Sequence, residues 1–171
     1  MKAVKTIRIV LPVLVAVLLC GCVALPKWSA SSETLEAEYE PYLIGGTCSL
    51  TGQAFFTQQG GGVVKAAGRT VTLDPATSIG NEWWGKAGKV WAHRALTPPS
   101  PGFAKARRTT IADAEGRFKF ADLAPGEYYV RTEVTWLVSD TLFPNQGGLT
   151  GKLVEIKPGP AVEVVLSQFP Q

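Results

Sequence analysis

The side-chain alternation in residues 109–136 constrains this chain more than any other feature. Tyr128, Val130, Thr132, Val134 and Trp136 share one parity, while Tyr129, Arg131, Glu133 and Thr135 share the other. A period of two marks a strand with one buried face. Upstream, Phe118 and Phe120 flank Lys119 in the same pattern. Asp113-Ala114-Glu115-Gly116 and Pro125-Gly126 bracket that shorter run. Both are turn signals, because Pro presets φ and Gly takes φ > 0 at no steric cost. The stretch predicts a strand, a tight turn, a short strand, a second turn and a long strand. It reads as a hairpin around which the other strands are added.

The remaining strands follow from the same pattern. Residues 47–56 read as a strand in which Cys48, Leu50 and Gln53 do not keep one parity, so Gly52 is expected to mark a bulge. Gln58 to Gly62 is a loop, and Val71-Thr72-Leu73 is a strand closed by Asp74-Pro75. Residues 142–148 read as a loop, and residues 152–157 and 161–166 as short strands around Pro158-Gly159-Pro160. The 18 Gly and 12 Pro suit a chain made of strands and turns. The fold class expected is all-β, an antiparallel β-sandwich of about seven strands with immunoglobulin-like architecture.

Residues 76–108 break the β rhythm. They hold Trp83, Trp84, Trp91 and His93, the chain's single histidine, and run into Pro98-Pro99-Ser100-Pro101-Gly102, read as irregular chain. An insertion of this length between strands suggests a functional segment. From residue 86 to residue 108 it carries Lys86, Lys89, Arg94, Lys105, Arg107 and Arg108 with no acidic residue among them.

The N-terminus carries an address. Lys2, Lys5 and Arg8 precede 11 uninterrupted apolar residues, 9–19, too few for a membrane span and suited to a secretory signal. Leu19-Cys20-Gly21-Cys22 follows and resembles the lipobox of bacterial lipoproteins. That resemblance implies cleavage after Gly21 and a mature chain beginning at Cys22, its thiol carrying diacylglycerol and its amine an acyl chain such as palmitate. Two or more chains anchor stably where one, at about 0.8 kcal/mol per buried CH₂, is marginal. Val23, a residue other than Asp, implies the outer membrane if the envelope is Gram-negative, with the periplasmic face expected.

The expected organisation is a signal peptide (1–21), a lipidated N-terminus with a flexible tether (22–45), and a β-sandwich (46–171) interrupted at about 76–108. The tether's acidic run, Glu33, Glu36, Glu38 and Glu40, reads as a solvated spacer or as a docking peptide for a basic partner. Pro41 is expected to end any helical turn begun near Ser32. Taking Lys2, Lys5 and Arg8 from the 17 basic residues leaves 14, equal to the 14 acidic ones. The mature chain is thus near neutral, and nucleic acid is not an expected partner.

Gly116-x-Phe118-x-Phe120 followed by Leu123-x-Pro125-Gly126-x-Tyr128 resembles the signature of carboxypeptidase regulatory-like domains, which are transthyretin-like seven-stranded sandwiches. The resemblance implies a folding or docking module with no activity of its own.

The residues themselves point away from catalysis. Cys48 is the one thiol left after processing and lipidation, and His93 has no second histidine to complete a metal or catalytic group. Transthyretin-like hydrolases and intradiol dioxygenases, which share this broad fold, each require more than one. No catalytic, cofactor-binding or metal residue is assigned. Trp83, Trp84 and Trp91, with Lys86 and Lys89 nearby, are the candidate contacts, either for another envelope protein or for a glycan; the alternative is a small core beneath the insertion. An enzyme of unrecognised type using His93 and Cys48 is the third reading.

Lipidation has a direct check. Cys22→Ser should abolish the lipid mass increment and release the protein from the membrane fraction, measured by intact-mass spectrometry and fractionation.

Overall fold

Apolar side chains at alternate positions of the longer strands meet across two sheets, and this pairing of faces defines the fold. The computed structural model describes residues 33–89, 98–139, 142 and 144–167. Its strands are β1 (Cys48–Thr57), β2 (Val63–Lys65), β3 (Thr70–Pro75), β4 (Arg108–Ile111), β5 (Arg117–Leu123), β6 (Gly126–Leu137), β7 (Asn145–Ile156) and β8 (Val162–Leu166). In the first sheet β1 is the hub, pairing antiparallel with β2 and β5 and parallel with β8. The second sheet runs β4-β3-β6-β7, antiparallel throughout. The all-β sandwich is as expected, with one more strand and one parallel pair. β7 begins at Asn145, inside the stretch read as a loop.

The core holds Leu50, Phe56, Phe118, Phe120, Val71, Leu73, Tyr128, Val130, Val134, Ile156 and Leu166. Each such apolar side chain contributes about 1.5–3 kcal/mol on burial. Cys48, 1% exposed, belongs to this cluster.

Residues 109–136 do not form a hairpin. β4 pairs with β3, β5 with β1, and β6 with β3 and β7, so the chain crosses from the second sheet to the first and back. Alternation says which face of a strand is buried and leaves its neighbour open. The two turns serve as corners between sheets. At the first, the Asp113 carboxylate accepts from the Glu115 and Arg117 backbone N–H groups, each at 2.8 Å. Gly116 sits there at φ 72°, and a Cβ on it would lie 2.6 Å from the Ala54 carbonyl. At the second, the Tyr128 hydroxyl donates to the Ala124 carbonyl at 2.8 Å, a tyrosine corner. Burial pushes the Tyr128 phenol well above its ordinary pKa. The register shift in β1 lies between Cys48 and Leu50, not at Gly52. Gly52 instead leaves room for the Phe118 ring, which a Cβ would meet at 2.4 Å.

The expected tether is folded from Glu33 onward. α1 (Glu33–Ala37) and α2 (Glu40–Ile44) flank Tyr39, which is 0% exposed. Pro41 stands in the first turn of α2, where its missing N–H has no partner to lose. The expected insertion is partly helical: α3 (Ser78–Trp83), a π-turn (Trp84–Gly88) and α4 (Pro101–Ala106). Pro101 starts α4, and Ser100 caps it by accepting from the Phe103 N–H at 3.1 Å. Short helices with free N-terminal N–H groups need acceptors. Glu38 accepts from the Ser78 N–H at 2.7 Å and its hydroxyl at 2.8 Å, and Glu36 accepts from the Gly102 N–H at 2.7 Å. The acidic run thus meets the chain's own helices.

Glu36→Ala and Glu38→Ala should each lower unfolding free energy by about 1 kcal/mol, measured by urea denaturation.

Candidate functional site

The outward residues of β6, Tyr129, Arg131, Glu133 and Thr135, run along a face that the helical layer covers only in part. At the covered end Trp84 stacks flat on Tyr129, with centroids 4.4 Å apart and planes at 12°. The Tyr129 hydroxyl donates to Asn81 Oδ1 at 2.9 Å. Trp83 is 1% exposed and packs on Phe103 at 5.1 Å. The guanidinium groups of Arg107 and Arg131 lie 5.0 and 4.7 Å from its ring centroid.

Arg107 Nε and Nη2 donate to Asp74 Oδ1 and Oδ2 at 2.6 and 2.9 Å. Asp74 is 1% exposed, and a carboxylate is tolerated there because the guanidinium fork matches both oxygens. Arg131 Nη1 donates at 3.0 Å to the carbonyl of Gly88, the last residue of the π-turn, and Nε reaches Thr72 Oγ1 at 3.3 Å. Burial, with the like charge of Arg107, pushes Arg131 below its ordinary pKa, while Asp74 and Glu133 pull the other way. A guanidinium stays protonated throughout.

This arrangement corrects the candidate contacts. Trp83 and Trp84 are both buried, at 1% and 4% exposure, and neither offers a ring to a glycan or a partner. Neighbours on a strand point to opposite faces, but neighbours on a helix are only about 100° apart, so both rings turn toward the sheet. Of the basic cluster, Lys86 pairs with Glu82 one turn away and Arg107 is committed to Asp74, while Lys105 and Arg108 are exposed. Lys89 is exposed where the π-turn ends. Cys22, Trp91 and His93 lie outside the described residues.

At the uncovered end is a groove of about 340 Å³ lined by Arg69, Thr70, Thr72, Arg131, Glu133 and Leu149. Thr72 lies opposite Arg131, and Glu133 opposite Leu149. Arg69 Nη2 donates to Thr135 Oγ1 at 2.7 Å. The lining supplies hydroxyls, guanidinium N–H donors, one carboxylate and one apolar side chain. Among the described residues no cluster of three or more His, Cys, Asp or Glu could hold a metal ion. Sequence reasoning missed this groove, since outward polar residues on a strand normally signal solvent and the lining comes from distant strands. The outward parity of Arg131 and Glu133 was its one legible trace.

No family model matches the chain, and no curated protein matches it. Among solved structures, a proposed carbohydrate binding protein from Pseudomonas aeruginosa is similar at 27% identity and a TM-score of 0.66. The match covers 82% of this chain and 99% of that one. A minor pilin from Streptococcus agalactiae aligns over 75% of this chain and 47% of that one, at 13% identity and a TM-score of 0.33, too remote to carry an argument.

Asp74→Ala should cost about 3–5 kcal/mol, because it leaves Arg107 without its carboxylate; urea denaturation followed by tryptophan fluorescence measures the loss.

Proposed function

We propose that the protein is a non-catalytic carbohydrate-binding module of a bacterial envelope, held to the membrane by lipid on Cys22 and taking its glycan in the groove on the second sheet. The observation that carries this reading is the similarity, over 99% of its length, to a protein proposed to bind carbohydrate. The groove's chemistry supports it. Sugar hydroxyls both donate and accept, and the lining offers guanidinium donors, threonine hydroxyls and a carboxylate together. The groove's 340 Å³ is at the small end of ligand sites, which span about 300–1,000 Å³, and suits a short saccharide.

The resemblances to the lipobox and to carboxypeptidase regulatory-like domains agree with an anchored module lacking an activity of its own. A glycan takes precedence over a partner protein because Trp83 and Trp84, the anchors a docking surface on the insertion would use, are buried.

Titration with soluble sugars and fragments of envelope glycans should shift the backbone amide resonances of Arg69, Thr70, Thr72 and Glu133, saturating in the millimolar range. A spectrum unmoved anywhere on the domain by the whole panel would overturn the glycan reading.

A further inference from the structure

Along the outer face of β6, Arg131, Glu133 and Thr135 follow one another at two-residue steps, about 6.5–7 Å apart. Arg69 reaches across to Thr135, so the groove presents a cation, an anion and a second cation in a row. Their hydrogen-bonding capacity is largely unspent. The Glu133 carboxylate accepts no hydrogen bond from any described residue. Arg131 uses Nε and Nη1 on neutral oxygens, leaving Nη2, and Arg69 uses Nη2, leaving Nε and Nη1.

We infer that this row is a subsite for a vicinal diol of a neutral sugar, with Glu133 accepting from both hydroxyls and Arg69 and Arg131 donating to their oxygens. The assignment rests on the groove being a glycan site and goes beyond it by naming the group recognised. A carboxylate takes two donors side by side, and adjacent hydroxyls present that pair. Each hydroxyl oxygen keeps lone pairs for a guanidinium N–H while its O–H donates to Glu133. An anionic ligand would meet the Glu133 charge between the two arginines. A cationic one would meet Arg69 or Arg131, and an apolar one would strand all three groups without partners.

The test uses the folded protein and the methyl glycosides of mannose, galactose and glucose, which between them present cis and trans vicinal diols. Their fully O-methylated counterparts and glucuronate serve as controls. The readouts are the side-chain Nε–H resonances of Arg69 and Arg131 and the dissociation constant. At least one methyl glycoside should shift both resonances, and its O-methylated form should not. Glu133→Gln should weaken binding roughly tenfold, and Arg69→Ala should weaken it by a smaller factor. Unchanged affinity in Glu133→Gln, with shifts mapping elsewhere on the domain, would overturn the subsite while leaving the glycan reading standing. Glucuronate binding more tightly than the neutral glycosides, and more tightly still to Glu133→Gln, would make the groove an anion site and also overturn the subsite. No shift with any sugar would remove the glycan reading and the subsite with it.

Discussion

Asp74 is a carboxylate sealed on the outward side of β3, and the architecture of that side of the molecule depends on how its charge is met. Burying an unpaired carboxylate is prohibitive, so a partner must arrive in matched geometry. Arg107 arrives from the end of α4 and meets both oxygens. In doing so it brings its guanidinium over Trp83 and Phe103, which tie α3 and α4 into one layer. Arg131 approaches the same indole from the sheet. The ion pair therefore sets where the helical layer sits.

The layer is closed from outside by the N-terminal segment. Tyr39 enters between the short helices and meets Phe103 edge-on, with centroids 6.4 Å apart. Glu36 and Glu38 supply acceptors to the first turns of α4 and α3. Helices of six residues do not persist alone, and α3 and α4 persist because their N-terminal N–H groups find side-chain acceptors and one face of each is buried. The groove begins where this layer stops. Gly88 holds Arg131 by a single carbonyl, and past it the outward residues of β6 face solvent with donors and acceptors unspent. The groove's position is thus a consequence of how far the helices extend over the sheet.

Much of the sandwich was legible in the sequence, because the information needed was local. The inward parity of Tyr128, Val130 and Val134, the paired Phe118 and Phe120, and the corners at Gly116 and Pro125-Gly126 all occur as read. Strand pairing was not legible. The stretch 109–136 looked like a hairpin and is instead split between two sheets, since parity reports burial and not neighbours. Trp83 and Trp84 were weighed as contacts or as a small core beneath the insertion, and the helical backbone that turns both rings inward makes them core. The acidic run was read as spacer or docking peptide, and two of its carboxylates, Glu36 and Glu38, are used within the chain.

By itself the sequence determined the fold class and the position of its principal turns, because period and turn chemistry are properties of short stretches. Only the tertiary structure decided that Asp74 would need Arg107, that Trp83 and Trp84 would be covered, and that Arg69, Arg131 and Glu133 would share a groove. Those outcomes depend on side chains from separate strands and helices arriving at one place. The chain's linear order carries no direct record of such meetings, and the cost of burying a charge or leaving a donor unmet selects among them.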